Sequence, residues 1–143
     1  VIGVPEVAGA NPGEAVYLVY TTVGSAEEGA RLGRQVVSER LAACANLIPQ
    51  IRSFYWWDGQ LVEDAESFLV LKTTDQGLQP LIARLKELHS YDVPAINAIR
   101  LDVGHPGYWQ WVAQETRPVG PGDVHESSSS TQNEAGRAEG DLQ

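Results

Sequence analysis

The chain has 143 residues, 43% of them hydrophobic and 20% charged, with a formal charge of −9 at pH 7. That length holds one domain with a proper core, and no apolar run approaches the length of a membrane span. No Lys/Arg cluster exists to grip a phosphate backbone, so nucleic-acid binding is not expected, and the single cysteine, Cys44, rules out an intrachain disulfide.

Residues 1–14 are rich in Gly, Pro and Ala without a usable period and are expected to be disordered. Val16 to Val23 is β-branched and aromatic throughout, the pattern of a central strand. Gly24 ends it, and Ser25 with Glu28 three residues later forms a capping-box signature. The first helix is predicted from about Ala26 to Ala42, with Ala30, Val36, Val37 and Leu41 on its apolar face.

From Cys44 to Thr74 the pattern is that of a long hairpin. Asp58-Gly59 readily takes the positive-φ turn of a two-residue loop. That turn pairs Trp57 with Gln60, Trp56 with Leu61, Tyr55 with Val62 and Phe54 with Glu63. Alternation then puts Tyr55 and Trp57 on one face, Phe54 and Trp56 on the other. Aromatics on both sides of a small hairpin call for a cover beyond its own sheet, and a second copy of the chain is the simplest one. Pro49 interrupts the first arm, marking a bulge or bend, and Phe68-Leu69-Val70-Leu71 is apolar enough for a strand buried on both faces.

Asp75 is the expected N-cap of a second helix over about Gly77 to His89, carrying Leu78, Leu81, Ile82, Leu85 and Leu88 at helical spacing. The Ser90 to Pro94 stretch stops it, because the residue before a proline is pushed out of the α region. Ala95 to Val103 alternates as a fourth strand, and Pro106 suits the first turn of a last helix reaching about Glu115, with His105 as its cap. Residues 118–143 are polar, with a serine run, and are expected to be disordered. This tail carries five carboxylates against one arginine, and the head two carboxylates, so the domain itself keeps only about −3 of the charge.

The domain is therefore 15–117, and its β-α-β-β-α-β order plus a terminal helix predicts an α+β, ferredoxin-like sandwich. Both crossover helices fall on one side of a four-stranded antiparallel sheet. The uncovered face and the overlong hairpin predict oligomerisation.

In these segments the sequence resembles the CutA family, the divalent-cation tolerance proteins. The resemblance rests on Leu41-Ala42-Ala43-Cys44-Ala45-Asn46, the Trp56-Trp57-Asp58-Gly59 turn, Leu71-Lys72-Thr73, and His89-Ser90-Tyr91 through Pro94. It covers nearly all of the domain and neither the head nor the tail. The resemblance implies a homotrimer similar in architecture to PII signalling proteins and a link to tolerance of copper and other divalent metals. One departure stands out. The family usually follows its His-x-Tyr-x-x-Pro segment with Glu, and this chain has Ala95.

Cys44 aligns with the family cysteine implicated in copper binding. Thiolates suit Cu(I), although a small buried hydrophobe is the commoner role for a cysteine between alanines. His89 reads either as a second metal ligand at a subunit boundary or as a helix C-cap. Trp57, Lys72 and Tyr91 are candidates for an intersubunit pocket. Lys72, among apolar neighbours, needs a carboxylate or carbonyl partner, or else faces a cleft that takes an anion. Glu63, Asp64 and Glu66 form either a solvated charge run or an assembly site for hard cations, and His125 lies in the tail.

No nucleophile elbow, phosphate loop or metalloprotease signature occurs, so no enzymatic activity is expected. The reading is a cytoplasmic homotrimer that binds copper or another divalent cation without a required cofactor. Its alternative is a PII-like trimeric module taking a small anion at subunit clefts.

Overall fold

The structure, a computed structural model, describes residues 15–118. The segments for which disorder is expected, His125 among them, lie outside the described residues except for Pro118. Seven elements follow in order: β1 (Val16–Val23), α1 (Ala26–Ser38), β2 (Cys44–Trp57), β3 (Gln60–Thr74), α2 (Asp75–Leu88), β4 (Ile96–Leu101) and α3 (Pro106–Glu115). The strands form one antiparallel sheet in the order β2-β3-β1-β4. This is the expected ferredoxin-like α+β sandwich with an appended helix.

The helices pack on the sheet where their apolar stripes allow. Leu32 and Val36 of α1 and Leu81 and Leu85 of α2 are buried against Val19, Val23, Leu69 and Leu71, each large aliphatic chain contributing about 1.5–3 kcal/mol. The face of α1 is rotated from the expected one: Gly29, Leu32, Gly33 and Val36 are its buried residues. Two glycines four apart bring the helix axis close to β2, where a Cβ on Gly29 would sit 2.6 Å from Leu47 Cδ1.

That helix also ends earlier than periodicity predicts, at Ser38. The Arg40 N–H donates to Val37 O and the Leu41 N–H to Val36 O, the paired bonds of a Schellman closure. Arg40 takes the left-handed position at φ 63, one that costs a non-glycine residue about 1 kcal/mol. In α2 the cap is Thr74, whose hydroxyl accepts from the Gly77 N–H, and Asp75 is already helical. Ser25 caps α1 as expected, accepting from the Glu28 N–H.

The hairpin register is the expected one, from Trp57↔Gln60 to Phe54↔Glu63. Asp58 at φ 50 and Gly59 at φ 74 close it as a primed turn. β1 pairs β3 only as far as Ser67. Gln60 to Glu66 and their partners therefore project as a two-stranded arm roughly 23 Å long. At the arm's root the register shifts between Ile48 and Ile51, and the Ser67 hydroxyl ties down the bulge by donating to Pro49 O at 2.6 Å. Ile48 opposes Phe68 and Ile51 opposes Glu66. β2 thus spends three residues where β3 spends two, and beyond the bulge its odd-numbered side chains share the face of Phe68.

The sheet face away from α1 and α2 is only partly covered, by α3, whose Trp109 and Val112 pack on Val16, Ala43 and Leu101. The rest carries Tyr20 stacked on Phe68 at 5.4 Å, with Ile48 and Ile99 about half exposed.

Candidate functional site

The expected site residues fall into two groups at different levels of the sheet. Cys44 opens β2 directly opposite Lys72. Its Sγ lies 3.3 Å from the Tyr108 hydroxyl, and Tyr108 stacks on Trp111 at 5.7 Å. Burial, then the adjoining thiol, pushes the Tyr108 phenol up to about 12. Lys72 finds the carbonyl partner its surroundings demand, donating to Asn46 Oδ1 at 2.7 Å. His105 caps α3, its Nδ1 accepting from the Tyr108 N–H.

The second group gathers where α2 ends. The His89 N–H closes α2 by donating to Leu85 O, and its ring is buried. The ring Nε2 lies 2.8 Å from Thr22 O and 3.2 Å from Thr21 Oγ1, while Nδ1 accepts from the Tyr91 N–H at 3.1 Å. A carbonyl only accepts and an amide only donates, so these partners fix the Nε2–H tautomer. Glu28 bridges α1 to the same loop. Its Oε1 accepts from the Gly24 N–H and the Ser90 hydroxyl, its Oε2 from the Ser90 N–H. Burial works against the Glu28 carboxylate, but these bonds from Ser90 and Gly24, with the His89 ring nearby, outweigh it and hold the group below its ordinary range.

Tyr91 leans on the His89 ring at 4.8 Å and donates to Glu66 Oε2 at 2.8 Å. Burial first, then the Glu66 hydrogen bond and charge, push the Tyr91 phenol well above its ordinary value. Between this loop and the arm lies a pocket of about 620 Å³, lined by Ser53, Tyr55, Trp57, Glu66, Tyr91 and Asp92. Ala95 lines it as well. Within one chain Trp57 and Tyr91 both line this pocket, and Lys72 stands outside it, opposite Cys44.

Cys44 and His89 are not brought together within one chain. The Cys44 position aligns with Leu18 on β1, whereas the His89 ring reaches Thr22. Four residues along the strand make about 13 Å, and two strand spacings add about 10 Å across. Both ring nitrogens of His89 are also committed, so coordination through them would break bonds that hold the loop. No group of three His, Cys, Asp or Glu side chains able to hold a metal occurs among the described residues. The acidic run on β3 is spent locally, with Glu63 on Arg52 at 2.7 Å and Asp64 on the Tyr55 hydroxyl at 2.8 Å. The described residues of a single chain therefore offer no finished site for a divalent ion.

Sequence reasoning found Glu28 as a capping residue but missed its reach to Ser90, because nothing local announces a bond to a residue 62 positions away. The Cys44–Tyr108 contact was missed for the same reason.

A family model for the CutA1 divalent ion tolerance protein matches residues 17–115. The chain is 43% identical over 100 residues to a divalent-cation tolerance protein CutA from Pyrococcus horikoshii, covering 70% of this chain and 97% of that one. It is 42% identical over 100 residues to the chloroplastic protein CutA 1 of Oryza sativa, again covering 70% of this chain. The chain spans little more than half the length of the plant relatives it matches, 56% for the rice protein. Among solved structures, that of CutA1 from Oryza sativa superposes with a TM-score of 0.71 at 40% identity, covering 73% of this chain and 96% of that one. The match spans β1 through α3, the same elements that build the sheet, the arm and the pocket, and the chain belongs to the CutA1 divalent ion tolerance family.

Proposed function

We propose that the chain acts in divalent-cation tolerance as a non-enzymatic homotrimer that binds copper or another divalent ion through side chains from more than one copy. The observation that carries this reading is the half-buried Cys44 thiol on the incompletely covered sheet face. A soft donor there meets a second protomer's side chains once that face is covered. Membership of the family supports the cation as the ligand class, and the separation of Cys44 from His89 within one chain supports a site completed by assembly. The reading places the protein in the cytoplasm, where a lone thiol stays reduced, and cell fractionation tests that part.

The test is native mass spectrometry with and without a few equivalents of Cu(II), on the parent chain and on Cys44→Ser. A trimer that retains defined copper equivalents, lost in the variant, supports the site. A diffuse uptake unchanged by the substitution sinks it. The PII-like alternative has less support. No Lys or Arg among the described residues lines the pocket beside the arm, and Lys72 is bound to Asn46 elsewhere.

A further inference from the structure

A single side chain connects the cap of α3 to the cysteine. The Tyr108 N–H donates to His105 Nδ1 at 3.1 Å, and the Tyr108 hydroxyl lies 3.3 Å from Cys44 Sγ. Histidine is an uncommon helix cap, because it accepts only while neutral. Its Nδ1 offers a lone pair when the one ring proton is on Nε2, and none once the ring is protonated. The chain around it is shaped to the ring. Pro106 fixes the first turn of α3. A Cβ on Gly107 would sit 2.9 Å from His105 Cε1, so the bare glycine leaves the imidazole room to lie over the helix end. Nothing nearby compensates an added charge. The first turn of α3 holds no acid, and no carboxylate among the described residues, Asp102 just upstream included, forms an ion pair with the ring. The titratable groups along these contacts are Tyr108 itself and, beyond it, Cys44 of β2.

We propose that His105 is a proton-operated latch on Cys44. In the neutral state Nδ1 holds the Tyr108 N–H, the first turn of α3 is closed, and the phenol is seated on the thiol. A proton on Nδ1 sets two donors against each other and places positive charge at the helix end where the dipole disfavours it. The Tyr108 N–H then loses its acceptor, the first turn loosens, and the hydroxyl leaves Sγ. Trp109 and Val112 stay packed on Val16, Ala43 and Leu101, so the change is confined to that turn. The latch is therefore closed at high pH and opens as pH falls. Each of its bonds joins residues of one chain, and none of them needs an open surface. Its consequence for copper, a thiol released from Tyr108 at lower pH, rests on the metal site proposed above; the latch itself does not.

The test is an NMR titration of the metal-free full chain from about pH 7.5 to about pH 5.5, the range in which imidazoles ordinarily titrate. The His105 Cε1–H, the Tyr108 N–H and the Cys44 Cβ are followed in the parent, in His105→Asn and in Tyr108→Phe. Asparagine caps as well as any residue and does not titrate, while phenylalanine keeps the amide and removes the hydroxyl. In the parent the three signals are expected to move together with one midpoint. Protection of the Tyr108 amide from exchange, relative to His105→Asn at the same pH, should fall about fivefold across the range, the loss typical of one missing cap. His105→Asn should lose the transition at both Tyr108 and Cys44. In Tyr108→Phe the amide at that position should still follow the His105 ring, while Cys44 no longer does. His89 and His125 are common to all three proteins, so their own titration cancels in the comparison. The proposal is overturned by a Tyr108 amide that does not follow the His105 ring, or by a Cys44 signal that keeps the parent's pH dependence in either variant. Failure of copper to bind leaves these metal-free titrations unchanged, and failure of the latch leaves the copper equivalents untouched, so the two proposals fail separately.

Discussion

Replacing Trp56 with serine tests the idea that the arm is covered by another copy. The side chain is 73% exposed in a single chain, which leaves about 180 Å² of a roughly 250 Å² tryptophan wet. At ~25 cal/mol per Å², complete coverage is worth at most about 4.5 kcal/mol. Area converts incompletely into affinity, and buried aromatic anchors typically contribute about 2–4 kcal/mol. Trp56→Ser is therefore expected to raise the dissociation constant of the assembly roughly 30- to 1000-fold. Within one chain the substitution removes only a cross-strand contact to Leu61, worth about 0.2–1 kcal/mol. Sedimentation velocity across a broad concentration range separates the two effects, with far-UV circular dichroism as the check on folding. A variant that is folded and dissociates at the same concentration as the parent would refute the reasoning, as would a parent that sediments as a monomer throughout.

Three further outcomes follow from the core, a helix cap and a partly exposed ion pair. Gly29→Ala drives a methyl to 2.6 Å from Leu47 Cδ1 and 3.2 Å from Val23 Cγ2, so urea unfolding should show a loss of about 1–3 kcal/mol from overpacking. Thr74→Ala leaves the Gly77 N–H without its acceptor and should cost about 1 kcal/mol by the same method, whereas an Asp75→Ala change leaves that cap in place. The hydrogen bond from Arg84, ahead of opposing burial and with help from Gln35, holds the Glu39 carboxyl below its ordinary 4.5. The fold thus favours the ionised acid, a contribution fully present above pH 4.5 and lost as acid protonates the group. Unfolding free energy should fall with acidification below that point, and Glu39→Gln should lower stability at neutral pH and flatten the acid slope.

Legibility in the sequence followed the range of the forces involved. The strand β1, the Asp58-Gly59 turn and the register it imposes are local, and pattern alone recovers them. The end of α1 was misplaced because Arg40 takes a backbone region usually left to glycine, and no side-chain pattern signals that choice. The buried face of α1 was misread because glycine scores as neutral in a hydrophobicity count, although at positions 29 and 33 it sets how near the helix comes to the sheet. The separation of Cys44 from His89 required the sheet order, a tertiary fact, and the pocket required the loop after α2 to fold back against the arm. Trp57 and Tyr91 were legible as candidates for a pocket between subunits; that both line one cavity within a single chain was not.

The bulge at Pro49 and Gln50 governs how this arm is able to vary in evolution. It fixes parity: only because β2 gains one residue there do Tyr55 and Trp57 fall on the pocket side. Losing that residue alone would carry both rings to the far surface and bring Phe54 and Trp56 round in their place. Above the bulge the arm is free to grow or shrink by two residues in each strand with its surfaces unchanged, while any odd step exchanges them. Insertions and deletions in this arm should therefore survive in descendants by even increments, with the root held at constant count.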